Sequence, residues 1–136
     1  MAPEVLLRKL TYLRQLLADL SPYENASLAK VRAEHYKLER IFEMLVVVTT
    51  DIVNHQLAER GIIANTFRET FQLAAQENLI PDDLSEKLQD AASMRNLIVH
   101  LYERIDYSIL RDSISPTLQD FQQVTTLLEQ QLSDDK

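Results

Sequence analysis

The chain has no cysteine among its 136 residues. That absence excludes disulfide bridges, thiol catalysis and any cysteine-ligated zinc site, and it fits a reducing compartment. Glycine is nearly missing as well: Gly61 stands alone, accompanied by four prolines. So few chain breakers leave little material for loops, and long helices are the economical use of the chain. Long hydrophobic runs are also lacking. The apolar run that ends at Val48 is far short of the roughly 20 residues needed to span a bilayer. The opening stretch, MAPEVLLRKL, lacks the apolar segment of a signal peptide. The expectation is a cytoplasmic protein with no membrane contact. Positive charge is the scarcer sign: 14 Lys and Arg stand against 21 Asp and Glu, a net charge of −7. This balance argues against a surface that binds nucleic acid all over by counterion release. It leaves room for a local basic cleft, and acidic charge elsewhere favours solubility.

What is present fits one globular domain spanning residues 1–136, with 46% apolar and 26% charged residues. A chain of this length buries a core without staples or structural metal. Apolar residues recur at helical spacing from about residue 4 to 20, including Leu6, Leu10, Leu13, Leu17 and Leu20. Pro3 suits a first helical turn and Ser21-Pro22 ends the pattern. A second, long helix is expected from Asn25 or Ser27 to Gly61. Its seam steps by three and four through Leu28, Val31, His35, Leu38, Phe42, Leu45, Thr49, Ile52 and Gln56. The β-branched run at 46–53 is read as helix because its period and flanks are helical. Gly61 suits a left-handed C-cap. A third helix is expected over residues 66–77 and a fourth from Asp83 or Leu84. A further segment from Asp106 should break before Pro116, leaving a last amphipathic helix over 117–132. Four or five helices on short turns predict an all-α, up-and-down bundle.

Chemistry gathers in one segment, Ser93-Met94-Arg95-Asn96-Leu97-Ile98-Val99-His100-Leu101-Tyr102-Glu103. With Arg95 at zero, a helix puts Tyr102 at about −20°, Asn96 at about 100° and His100 at about 140°. Met94, Leu97, Ile98 and Leu101 fall between about 200° and 300°, and that face is expected to be core. The opposite face offers a histidine that titrates near neutrality and an arginine whose planar fork matches phosphate oxygens. Asn96, four residues before His100, can orient the imidazole or bind phosphate. In RNA cleavage a 2′-OH attacks the adjacent phosphate, which needs a base and a cation to stabilise developing charge. One His and one Arg supply both, with no metal. A solvated polar face is the plain alternative from periodicity alone.

Arg95, His100 and Tyr102 match the Arg-x4-His-x-Tyr motif in a segment that resembles the HepT toxins, a branch of the HEPN superfamily. Asn96 stands where that superfamily commonly carries a polar residue. The likeness continues in Asp51-Ile52-Val53-Asn54-His55 with Gly61, in Thr66-Phe67-Arg68-Glu69-Thr70-Phe71, in Leu79-Ile80-Pro81 and in Arg104-Ile105-Asp106. It covers about a hundred residues from Leu38 onward. The resemblance implies a helical homodimer whose motif helices form a composite cleft. It implies a metal-independent endoribonuclease toxin, without cofactor, that cuts tRNA or mRNA with Arg95 and His100 as catalytic residues and Asn96 in support. It also implies a partner, a minimal nucleotidyltransferase (MNT) antitoxin that silences the toxin by transferring AMP to Tyr102. The alternative is a non-catalytic HEPN partner subunit that binds a nucleotidyltransferase or a nucleotide. An intact motif favours the nuclease.

Other residues are assigned plainer roles. His35 is expected to be packed or dimer-facing. Asp51 and His55 form an i, i+4 pair, but two ligands make no metal site. Tyr12, Tyr23 and Tyr36 are expected to pack. Tyr107 is a candidate to line the cleft beside Tyr102. Arg60, Arg104 and Arg111 are candidates to widen a basic patch, although ordinary exposed charges are the plainer reading. Glu103 would repel RNA or pair across a dimer.

Overall fold

A computed structural model describes residues 2–100 and 106–134, with the side chains of Val99, His100 and Asp134 outside that description. Helix α1 (Pro3–Leu20) leads through a 3-10 turn (Ser21–Tyr23) to α2 (Leu28–Ala33) and α3 (His35–Glu59). Helices α4 (Phe67–Gln76), α5 (Asp82–His100) and α6 (Tyr107–Asp134) complete the bundle. There is no strand among the described residues, and the expected all-α class holds.

Helix α3 is the axis of the fold. Leu38, Leu45, Ile52, Val53 and Leu57 are fully buried, and the helix packs against α1, α4, α5 and α6. The β-branched stretch inside it is helical, because being surrounded on several sides outweighs a weak local propensity. Thr50 turns its hydroxyl back to the Val46 carbonyl at 2.9 Å, so a polar residue sits in the core without a stranded donor.

Caps explain where the elements stop. Gly61, at φ 76°, closes α3: its N–H reaches the Ala58 carbonyl, and the Ile62 N–H reaches Leu57 at 2.9 Å. This paired closure is a Schellman motif and needs a left-handed residue. Asn78, at φ 58°, does the same for α4 through Asn78 N–H to Ala75 and Leu79 N–H to Ala74. Thr66 caps the start of α4 by accepting the Glu69 N–H at 3.0 Å. Ser27 caps α2 through the Lys30 N–H at 3.2 Å.

Two expected boundaries fall elsewhere. The long second helix is divided at Glu34, whose φ of −115° and ψ of 24° leave the helical region. No proline or glycine marks that point. Glu34 is held instead by the Tyr23 hydroxyl, which donates to it at 2.8 Å. Conversely, α6 does not break before Pro116 but runs through it. Pro116 and Asp112, the residue whose carbonyl loses its helical partner, are both exposed, so water satisfies that carbonyl. The buried stripe Leu110, Ile114, Leu118 and Phe121 anchors the helix on both sides of the proline.

Candidate active-site cleft

Helix α5 carries Arg95 and Asn96 of the motif, and its rotation decides which way they face. Leu84, Leu88 and Ala92 are buried to 1% exposure or less. At about 100° per residue, Arg95 falls at about 20° from Leu84, between it and Leu88 at about 40°. The arginine therefore continues the core stripe, and its side chain is only 18% exposed. Of the expected apolar core face, Met94 and Ile98 pack against the core, and Leu97 is a correction. Leu97 is 58% exposed, while Met94 and Ile98 are half-buried. Leu101 lies outside the described residues. Hydrophobicity alone points to the apolar arc; packing on α3 and α4 turns the arc of Arg95 inward as well and leaves Leu97 at the surface.

The guanidinium is gripped from three directions. It lies over the Phe67 ring, with its carbon 4.9 Å from the ring centroid, within range of a cation–π contact. One terminal nitrogen faces Glu43 at 3.6 Å. The other donates to the Asn96 side-chain oxygen at 3.3 Å. Its Nε is buried without a hydrogen-bond partner. A buried donor without a partner among the described residues costs free energy. Glu43 also meets Arg40 at 3.5 Å, so one carboxylate is shared between two arginines.

Asn96 is exposed and lines a polar recess of about 310 Å³ with Asn54, Asn65, Thr66, Phe67 and Thr70. Thr70 donates to Asn54 at 3.0 Å, which fixes the amide orientation at the recess floor. The blocks around Asn54 and Phe67, separate in sequence, thus meet beside Arg95 and Asn96. A larger recess of about 460 Å³ lies between α5 and α6 and includes Lys87, Met94, Ile109 and Asp120. Burial pushes the Asp120 carboxyl above its ordinary value, and Lys87 pulls it partly back. Neither Arg95 nor Asn96 lines that recess.

The remaining candidates are placed as follows. The His100 side chain, Tyr102, Glu103 and Arg104 lie outside the described residues. His35 is half-buried and bonded to Glu39, with its ring 5.2 Å from that of Tyr107. Tyr107 also lies under Arg32 at 5.5 Å. Asp51 is bound to Lys9 at 2.8 Å and His55 meets Glu59 at 3.0 Å. Among the described residues no three His, Asp or Glu side chains are grouped to hold a metal. Arg60 donates to the Glu77 carbonyl at 2.8 Å, and Arg111 bonds its neighbour Asp112 at 3.3 Å. Of the three tyrosines expected to pack, only Tyr23 is buried; Tyr12 is 44% and Tyr36 is 80% exposed. That expectation is corrected for both, because both side chains are exposed. Sequence reasoning missed Glu43 and Phe67 as partners of Arg95. Phe67 stands inside one of the family-like blocks, whereas nothing in the chain singles out Glu43.

An all-helical bundle that buries an arginine beside a polar recess on its motif helix defines the class of protein. The chain belongs to the family described as ribonuclease HepT-like, which it matches over residues 6–128. Among curated relatives, it is 32% identical over 80 residues to a protein of Shewanella oneidensis named mRNA nuclease HepT. That alignment covers 58% of this chain and 60% of the relative's length. Solved structures share the fold. The tri-AMPylated Shewanella oneidensis HEPN toxin, crystallised with MNT antitoxin, superposes with a TM-score of 0.83 at 21% identity. The match covers 95% of this chain and 98% of that one. A toxin–antitoxin structure with AMP-PNP gives 0.82 at 21% identity, over 94% and 99% of the two chains. No helix among the described residues is long and apolar enough to cross a membrane.

Proposed function

We propose that the protein is the ribonuclease toxin of a toxin–antitoxin pair, acting in the cytoplasm as a homodimer on tRNA or mRNA. The guanidinium of Arg95, largely buried and bonded to Asn96, which lines a polar recess, is the observation that carries this reading within the family. Arg95 is the phosphate clamp. His100 is the general base, and Asn96 supports the phosphate or the imidazole. The base takes the proton of the 2′-OH, the 2′-oxygen bonds to phosphorus, and the bond to the 5′-oxygen breaks as that oxygen gains a proton. The products are a 2′,3′-cyclic phosphate and a 5′-hydroxyl. Arg95 neutralises charge on the phosphate oxygens, which is worth most in a site shielded from water.

The antitoxin partner is an MNT nucleotidyltransferase that moves AMP from ATP to the Tyr102 hydroxyl and releases pyrophosphate. Tyr102 and Arg95 are seven residues apart, two turns along one stripe if the helix continues. A phosphate there competes for the same guanidinium as the RNA.

The test is cleavage of total RNA and tRNA in chelator by protein whose intact mass shows no adduct. The parent should cut, and His100→Ala should lose about a hundredfold or more of the rate. Tyr102→Phe should cut and escape the antitoxin. A folded parent that cuts nothing, or needs magnesium to cut, overturns the mechanism.

A further inference from the structure

Residues 30–40, Lys30-Val31-Arg32-Ala33-Glu34-His35-Tyr36-Lys37-Leu38-Glu39-Arg40, differ in charge from the rest of this acidic chain. They hold four of its 14 Lys and Arg residues. Every exposed charged residue in the segment is a cation: Lys30, Arg32, Lys37 and Arg40. Its two acids are turned inward and occupied. Glu34 accepts from the Tyr23 hydroxyl, and Glu39, only 14% exposed, is bonded to His35. The surface offered to a partner is therefore positive, although the protein as a whole carries −7.

An aromatic ledge stands in this patch. Tyr36 is 80% exposed, and its ring centroid lies 4.0 Å from that of His35. His35 in turn abuts Tyr107, which Arg32 covers. Tyr36, Arg40 and Glu43 follow one another at i, i+4 and i+7, so they share one stripe of α3. At 1.5 Å per residue Tyr36 stands about 10 Å along that stripe from Glu43. Glu43 is the residue that meets both Arg40 and Arg95. The ledge and the candidate active site are thus two ends of one helix face.

We infer that Tyr36, with Arg32 and Arg40 beside it, is a binding subsite for single-stranded RNA that leads the substrate toward Arg95. This rests on the ribonuclease reading. An exposed aromatic face flanked by cations takes an unpaired base by stacking and its backbone by charge, and paired RNA offers no such free base face. Arg40 neutralises the backbone between the stacked base and the phosphate at Arg95. The acidic surroundings repel RNA elsewhere, which confines binding to this track.

The test uses the full-length His100→Ala protein, which should bind without cutting, and a short fluorescein-labelled single-stranded RNA read by anisotropy. Adding Tyr36→Ala should weaken binding on the order of tenfold, whereas Tyr36→Phe should bind as the parent does. Arg40→Gln should lower the salt dependence of binding by about one phosphate contact. Light scattering on each variant separates RNA binding from assembly. Unchanged affinity in Tyr36→Ala overturns the subsite, as does a loss that merely tracks dissociation into monomers. A cutting assay with His100 intact separates the two readings. Cutting that is unaffected by Tyr36→Ala removes the subsite and leaves the ribonuclease. Tight, Tyr36-dependent binding without cutting keeps the subsite and removes the ribonuclease.

Discussion

The first three turns of α5 and its following two turns share one inward stripe, and they are built for different ends. In the first, Leu84, Leu88 and Ala92 are buried against the core. In the second, the same stripe presents Arg95, and the apolar Leu97 is left exposed. The swap is costly by ordinary rules. A guanidinium takes a leucine's place, one of its donors goes unpaired, and a leucine is left 58% exposed. Natural chains break such local rules mainly at functional sites. A site that favours stability everywhere would put an aliphatic side chain where Arg95 stands.

Substitutions can sharpen that contrast. The largest effect should come from Arg95→Ala, which removes the phosphate clamp. RNA cleavage should fall by about a hundred- to a thousandfold while circular dichroism stays helical. A variant that cuts like the parent would break the comparison. Next is Leu88→Ala, about two turns into the same helix and fully buried. It should cost about 3 kcal/mol in denaturant unfolding, and the rate per folded molecule should hold. Arg95→Met should have the opposite sign. Methionine keeps the contact with Phe67, the unpaired Nε is gone, and Glu43 retains Arg40. Unfolding free energy should rise by about 1 kcal/mol as activity is lost; a fall would mean that the arginine is part of the scaffold.

The smallest effect concerns Asp120, whose carboxyl is pushed up by burial in the recess between α5 and α6. A raised folded pKa makes the protonated form the one that folding favours. Its stabilising contribution is full below the ordinary carboxylate value and fades as pH rises through the folded value. Asp120→Asn should therefore raise the melting temperature slightly at pH 7, with no gain below about pH 4. An equal gain at both pH values would assign the effect to packing rather than charge.

The scarcity of glycine and proline, with apolar spacing at three and four, was enough to expect a helical bundle and most of its helices. The Gly61 cap was legible because a left-handed residue has few candidates, and Asn78 supplies the second such cap. The break at Glu34 was not legible, since it depends on a hydrogen bond from Tyr23, 11 residues away. Nor was the continuity through Pro116, because a lost backbone bond costs little where water can replace it.

For the site, the chain alone determined which residues can do chemistry and how far apart they stand on a helix. A spacing of five between arginine and histidine, with tyrosine two further on, is a property of sequence. Which way the helix is turned is not. Rotation of α5 follows from packing against α3 and α4, where Leu84 and Leu88 find their places together, and this brings Arg95 inward onto Phe67 and Glu43. Burial is a property of several helices at once, so only the tertiary structure could decide that the arginine is turned inward while Leu97, on the greasier face, stays exposed.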